Sequence, residues 1–416
     1  MRKWLLMILT NFSMNKLVYF LLFLNILIAD SYWLLPPILG SILFTIPMFF
    51  IGMGEHSRNL KKYSFIAIPF LLFYSYLMVV QIFRGENIGV SFYIFVTNVF
   101  VILSVLYLRQ RSYYLYWYLI AFLICNLAVQ FIQMRGVRVT GGILLSPFGF
   151  REYAEVDLFD STRGFRYSGL YTNLVALAFF SGIITAYFWI LYTLSGKKKH
   201  LIIAGLSMLM SLLTNTRAVM YFIVPAILIS DFIVKKKFSG KIIMLCLLFL
   251  GAFYILNNNT GFDRKDSSVS IKNIQEDAGV IHRVQANLYG TIGTLSLNPL
   301  WGISEEEQYK AIQEGYNICG LVYGDYFMDQ VTYHNLPLYY LRVYGIVGFF
   351  LFLFCYWRLF VFAYRLTDSY DRQFMLSALI FFFIYNLSHN MKINYLIFWM
   401  AISANFEPYR TKYLKK

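Results

Sequence analysis

The stretch VTYHNLPLYYLRVYGIVG, residues 331–348, closes the longest polar segment of the chain and opens a hydrophobic run at about Leu336. His334 and Asn335 stand at that junction, and Pro337 follows in what should be a first helical turn. Asparagine is a good helix cap, and proline costs nothing in a first turn because its missing N–H would have no helical partner there. The stretch therefore predicts a helix that starts next to a histidine.

The composition indicates an integral membrane protein. Of the 416 residues, 59% are hydrophobic and 14% are charged, whereas soluble domains carry roughly 25% charged residues. The net charge of +15 does not point to nucleic acid, because no basic stripe interleaved with aromatic residues is present. The four cysteines match neither a disulfide framework nor a metal-binding spacing.

Hydrophobic runs predict about twelve transmembrane helices, since a spanning helix needs about 20 apolar residues and shorter ones occur. The candidate spans are residues 16–29, 32–53, 63–83, 89–108, 113–134, 171–194, 201–214, 218–234, 242–256, 335–364, 373–388 and 393–407. Clusters of lysine and arginine, which collect in cytoplasmic loops, are separated by an even number of spans throughout. We therefore predict an all-α polytopic membrane protein, with residues 1–416 as one membrane domain and both termini cytoplasmic.

Two long polar segments then fall on the extracytoplasmic side, at about residues 135–170 and 257–334. Connections of this length are usually functional or disordered. The second one includes a predicted surface helix, EEEQYKAIQEGY, that begins at Glu305. These two segments are where we expect the chemistry of the protein.

The junction at His334 has two readings. A helix start offers free N–H donors and partial positive charge, which suit a phosphate. A histidine beside it has an ordinary pKa near physiological pH and can take a proton from a sugar hydroxyl. The alternative is a histidine that only forms hydrogen bonds at the membrane interface. The residue by itself leaves both readings open.

Four arginines are predicted to approach the same outer face: Arg163, Arg166, Arg217 and Arg283. The planar guanidinium suits bidentate phosphate binding, so a site for an anionic substrate competes here with simple interfacial anchoring. Arg342 lies inside the predicted helix, where a charge costs at least ~2.5 kcal/mol unless it faces a polar cavity. It either reaches the site or pairs structurally with a loop residue.

Metal chemistry finds little support in the sequence. There is no HExxH motif, and Asp157 and Asp160 are too widely spaced for a DxD motif. A second His-Asn pair, His389 and Asn390, has no polar loop beside it, and we interpret it as structural. We expect no metal and no other cofactor.

The junction resembles a known family signature. His334 and Asn335 are followed by nine residues and then by Gly345-Ile-Val-Gly348. This arrangement is similar to the signature of the O-antigen ligase and O-antigen polymerase superfamily, bacterial membrane enzymes that act on lipid-linked glycans.

Three further stretches fit that superfamily in order. They are RYSGLYTNLVALA from Arg166, LLTNTRAVMYF around Arg217, and IHRVQANLYGTIGTLSLNPLWGIS around Arg283. Each is similar to an arginine-containing segment of the family, although Thr216 stands where the family has serine and Ala218 where it has glycine. The resemblance covers about residues 163–350.

The resemblance implies a GT-C-like glycosyltransferase that needs no metal and no nucleotide sugar. Its donor would be a glycan on undecaprenyl pyrophosphate, at the outer leaflet of the bacterial cytoplasmic (inner) membrane. His334 would activate the acceptor hydroxyl, and Arg217, Arg283 and Arg166 would neutralise the leaving pyrophosphate. Asn335 and Arg342 are further candidate substrate-binding residues.

The acceptor separates two activities within the superfamily. A polymerase uses a second lipid-linked repeat unit, and sometimes a chain-length regulator as partner, whereas a ligase uses lipid A–core. We favour the polymerase, because polymerases are the more diverse group and this chain departs from the consensus. A transporter or flippase is the alternative from another class, but it should carry ionisable residues near the midplane of several helices.

Overall fold

The computed structural model describes residues 46–109, 112–137, 139, 159–160, 164–171, 174–236, 240, 278–320, 335–387 and 404–414. Apart from one hairpin of two short strands, the regular structure of this part is helical. The helices are α1 (Ile46–Phe83), α2 (Ile88–Arg109), α3 (Ser112–Gln133), α4 (Leu174–Ser195), α5 (Lys198–Leu213), α6 (Arg217–Lys235), α7 (Ala278–Leu297), α8 (Gln308–Ile318), α9 (Leu336–Arg365), α10 (Ser369–Asn386) and α11 (Glu407–Leu414). The hairpin pairs β1 (Phe159–Asp160) with β2 (Gly164–Phe165) in antiparallel register.

The prediction of an all-α membrane protein is confirmed. Four helices of the described part are long and apolar enough to cross a membrane: Lys61–Phe83, Leu115–Gln133, Leu174–Ser195 and Leu336–Arg365. Nine predicted spans overlap α1 to α6, α9 and α10, because 32–53 and 63–83 both overlap α1. The total of twelve stays a prediction, because spans 16–29 and 242–256 and most of 393–407 lie outside the described residues.

Helix α4 is the centre of the bundle. Nearly all of its residues are buried, as expected for a helix that is apolar on every side. It packs against α5, α6, α10 and α11. Close approach to α10 depends on Gly182, where an added Cβ would lie 2.6 Å from the ring of Phe381. The Phe381 ring in turn stacks on Phe179 with centroids 5.3 Å apart.

Helices α7 and α8 form a tight pair in the second long polar segment. A Cβ added at Gly293 would overlap the carbonyl oxygen of Ala311, and one at Gly315 would overlap that of Tyr289. The two backbones therefore touch. The surface helix predicted from Glu305 corresponds to a 3-10 turn, Glu305–Glu307, followed by α8. Helix α7 was not predicted, because its glycines weaken helix propensity and interrupt the apolar periodicity.

Candidate functional site

The structure describes the predicted site residues to different extents. His334 lies outside the described residues, so its proposed role stays a prediction. Arg217 is the first residue of α6 and Arg283 lies in α7, but their side chains are not described. The side chains of Arg166, Asn335 and Arg342 are described, and their contacts define the geometry of this region.

Asn335 caps α9, as its position before Pro337 predicted. Its Oδ1 accepts a hydrogen bond from the N–H of Leu338 at 3.0 Å. Its Nδ2 donates to the carbonyl of Leu387, just beyond α10, at 3.1 Å. One side chain therefore sets where α9 begins and ties that point to the end of α10.

Helix α9 is broken at Gly345, the first glycine of the signature. This residue has φ 68° and ψ −172°, a combination that is open essentially to glycine alone. A Cβ there would overlap the carbonyl oxygen of Leu300 and lie 2.7 Å from the N of Gly302. The segment after α7 thus packs backbone to backbone against the break.

Backbone hydrogen bonds replace the helical ones lost at this break. The N–H of Ile346 donates to the carbonyl of Pro299 at 2.8 Å, and the N–H of Ile303 donates to that of Arg342 at 2.9 Å. We call residues 298–303 together with 342–346 the α9 joint. Irregular backbone at membrane depth is tolerated when protein groups satisfy it, and the joint meets that condition.

Two side chains of α1 and its following turn fasten the joint, and sequence reasoning missed both. Nη2 of Arg84 donates to the carbonyl of Trp301 at 2.6 Å and also to that of Val343. The hydroxyl of Tyr76 donates to the carbonyl of Tyr344 at 2.8 Å. Both halves of the joint are therefore held from one neighbouring helix. The local sequence does not predict these contacts, because they join residues more than 200 positions apart.

Charged side chains of both signs lie next to the α9 joint. Burial lowers the pKa of the Arg84 guanidinium, although the nearby Tyr344 and Glu86 act in the opposite direction. Burial also raises the pKa of the Glu86 carboxyl, against the effect of Arg84. Glu305 accepts a hydrogen bond from the hydroxyl of Tyr339. Because positive and negative side chains lie together next to the joint, anion binding there would depend on individual arginines rather than on net charge.

Arg342 is fully buried at the meeting point of α7, α8 and α9. Its Nε donates to Oε1 of Gln308 at 3.0 Å. Its guanidinium lies flat against Gly290 of α7, where an added Cβ would be 2.5 Å from Cζ. These contacts give Arg342 a structural function within the joint. Its predicted part in substrate binding stays a prediction.

Arg166 lies against the turn between α5 and α6. Its Nε donates to the carbonyl of Thr214 at 3.4 Å, and the N–H of Tyr167 donates to that of Leu213 at 2.9 Å. Arg166 also interacts electrostatically with Tyr385 near the end of α10. The structure thus brings Arg166 to the start of α6, where Arg217 stands.

The described contacts therefore join the candidate segments in two groups. Arg166, the start of α6 and the C-terminal end of α10 form one group, to which Asn335 is tied through Leu387. Helices α7 and α9 form the other, joined by Arg342. Since Asn335 and Arg342 lie on the same part of α9, that helix connects the two groups.

One region of the chain matches a known protein family. Residues 201–353 match a family model described as O-Antigen ligase. The match covers less than half of the chain, from α5 to just beyond Gly348. It includes Arg217, Arg283 and the His-Asn junction and leaves Arg166 outside. A search of curated proteins found no match.

Proposed function

Since residues 201–353 make this chain a member of the O-antigen ligase/polymerase superfamily, we propose that it polymerises oligosaccharide repeat units carried on undecaprenyl pyrophosphate. The family match supports an enzyme of the polymerase or ligase type that acts on membrane glycans. The lipid-linked donor and the choice of polymerase are our proposal. The inner-membrane location and the outward-facing site belong to the same proposal.

The way in which the start of α9 is held supports this proposal best. Within the matched region, the start of α9 is held by its own cap and by the α9 joint, and the joint connects it to α7. Of the residues that the family resemblance assigns to chemistry, His334 directly precedes Asn335 in the sequence and Arg283 belongs to α7. A rigid connection between an acid–base group and a phosphate-binding group is what transfer from a pyrophosphate requires.

The proposed reaction is a displacement at the anomeric carbon of the donor sugar. A hydroxyl of the acceptor sugar attacks this carbon, the new glycosidic C–O bond forms, and the bond to the pyrophosphate oxygen breaks. His334 accepts the hydroxyl proton as the general base. Arg217, Arg283 and Arg166 balance the charge that develops on the leaving lipid pyrophosphate.

Ligation to lipid A–core is the second candidate, and the description of the matching family favours it. Both reactions use the same donor and leaving group, and only the acceptor differs. A cell-based test separates them. Deleting the gene for a polymerase leaves single repeat units on the core, whereas deleting the gene for a ligase leaves the core bare.

A purified system tests the proposal directly. The protein in lipid nanodiscs is given radiolabelled lipid-linked repeat units, with or without lipid A–core, and the products are separated by size. A polymerase yields a series of products of increasing length even when lipid A–core is absent from the reaction. If no transfer occurs with either acceptor, the proposed function fails, and transport of intact donor into proteoliposomes becomes the next measurement.

Substitutions then test the assigned roles. His334→Ala and Arg283→Ala should each abolish the polymer products. The first variant removes the base, and the second removes a charge that stabilises the leaving group. Arg135→Ala is the matched control, since Arg135 is an exposed arginine just beyond α3 and has no assigned role. If both test variants still make normal polymer, the assignment of roles is wrong.

A further inference from the structure

Helix α3 carries three buried amide side chains on one face. Asn126, Gln130 and Gln133 are spaced by four and three residues, which aligns them along a helix. Their exposed fractions are 0%, 0% and 1%, and all lie within the candidate membrane span Leu115–Gln133. Amides buried in such a span cost free energy unless they are hydrogen-bonded. We call these three residues the amide ladder.

Gln133 binds the backbone of the segment that follows Arg166. Its Oε1 accepts a hydrogen bond from the N–H of Gly169 at 2.9 Å. Its Nε2 lies 3.0 Å from the carbonyl oxygen of Gly169, 3.1 Å from Oγ of Ser168 and 2.7 Å from the carbonyl oxygen of Val139. A glutamine both donates and accepts, so this one side chain holds both backbone groups of Gly169.

The other two amides continue the same contact. Nε2 of Gln130 donates to the carbonyls of Tyr167 at 2.8 Å and of Met210, in α5, at 3.1 Å. Oδ1 of Asn126 accepts from the N–H of Leu170 at 3.0 Å. The ladder therefore binds residues 167–170 along their length and, through Met210, ties them to α5.

The glycine of this segment is needed for the fit. Gly169 has φ +64°, and a Cβ there would lie 2.7 Å from Oδ1 of Asn126. The irregular backbone of residues 167–170 lies beside a membrane-spanning helix, where unsatisfied peptide groups are costly. Side chains of the ladder supply hydrogen bonds that a regular helix would have supplied.

We propose that Asn126, Gln130 and Gln133 are positioning residues for glycan transfer, which act by holding Arg166 at the start of α6. This inference rests on the proposed function, because Arg166 is taken to face the leaving pyrophosphate. Arg166 directly precedes the segment that the ladder binds, and it has its own hydrogen bond to Thr214. The ladder lies outside the region that the family model matches, residues 201–353.

A matched pair of variants tests the ladder. Asn126 and Asn98 are both buried, and each donates through Nδ2 to the carbonyl four residues earlier in its own helix. Asn126 differs by accepting from Leu170. Asn126→Leu therefore removes the contact with the segment, whereas Asn98→Leu removes a comparable amide elsewhere. Gln133→Met is a second ladder variant of similar side-chain length.

Two measurements are made on the full-length protein in nanodiscs. Hydrogen–deuterium exchange of peptides covering residues 166–171 should be at least tenfold faster in both ladder variants and unchanged in Asn98→Leu. The kcat/KM for a radiolabelled lipid-linked donor should fall by roughly 10- to 100-fold, since a displacement of about 1 Å has that cost. In an Arg166→Ala background, the ladder variants should cause no further loss.

The outcomes separate the proposal from a purely structural role. Unchanged exchange in residues 166–171 would overturn it, as would losses that multiply with that of Arg166→Ala or that equal the loss in Asn98→Leu. If the wild-type protein transfers no glycan, the proposed function fails and the role in transfer fails with it. The exchange measurement then still decides whether the ladder holds the segment.

Discussion

Replacing Gly345 with alanine should damage the α9 joint. The residue has φ 68° and ψ −172°, and a non-glycine residue in that region costs about 1–3 kcal/mol. The added Cβ would also overlap the carbonyl oxygen of Leu300. Because this neighbour is backbone on a fastened segment, it can move only if the whole segment moves.

Movement of that segment adds to the cost. It would weaken the hydrogen bonds from Ile346 to Pro299 and from Ile303 to Arg342, each of which is worth about 1 kcal/mol. Strain and lost hydrogen bonds together amount to roughly 3–5 kcal/mol of unfolding free energy. We expect the midpoint of thermal unfolding to fall by at least about 5 °C, together with loss of glycan transfer.

The measurement is thermal unfolding in detergent, followed by intrinsic fluorescence, with Gly205→Ala as the control. Gly205 lies in α5 with open space around its Cβ position, so alanine there should be neutral or slightly stabilising, by up to about 1 kcal/mol. If Gly345→Ala unfolded within 1 °C of the wild-type protein, the backbone of the joint would not be as restrictive as described, and the reasoning would be refuted.

Three other perturbations test separate parts of the structure. Gly290→Ala should destabilise by about 1–3 kcal/mol, because its Cβ would lie 2.5 Å from Cζ of Arg342; thermal unfolding beside Gly205→Ala measures this. Asn335→Ala should cost about 1 kcal/mol through the lost cap. Asn335→Ser should recover part of it, since a hydroxyl also accepts from the helix N–H and places no charge against the carbonyl of Leu387; equal unfolding midpoints for the two variants would contradict the cap. Burial raises the pKa of the Asp371 carboxyl to about 6 from an ordinary 3.8. The folded protein then binds the proton more tightly than the unfolded chain, so stability should fall as pH rises from 3.8 to about 6 and level off above it. Unfolding midpoints across this range should show that slope, and Asp371→Asn should remove it.

The membrane helices could be predicted from the sequence because lipid imposes a simple requirement. A spanning helix satisfies its own peptide groups and needs an apolar surface of fixed length, and both leave a visible pattern. Helix α7 follows another rule. Its Gly290 and Gly293 allow close contact with Arg342 and α8, so packing against specific partners, rather than periodicity, explains its sequence.

The candidate site shows the same division. Charge in an apolar chain is conspicuous, so Arg166, Arg217, Arg283 and Arg342 could be selected directly. The groups that hold them could not be selected, because a neutral amide such as Gln133 looks like any polar residue near a helix end. Three amides at spacings of four and three inside a predicted span are the signal that was present. Residues 167–170, which contact that face, lie more than 30 positions away along the chain. The sequence around the three amides therefore does not indicate which segment they bind.

The break in α9 divides one membrane-spanning helix into two mechanical units. Residues before Gly345 are bonded to the segment after α7, to Arg84 and Tyr76, and to Leu387 beyond α10, and Ile346 just after the break is bonded to Pro299. The residues that follow complete the candidate span. The part before the break, which begins after Asn335, is therefore held by the segment after α7, by Arg84 and Tyr76, and by the end of α10. A change in the segment after α7 that shifts the joint would therefore move the part of α9 before the break more than the part beyond it. Under the proposed function, substitutions in that segment would alter acceptor preference without altering the rest of α9.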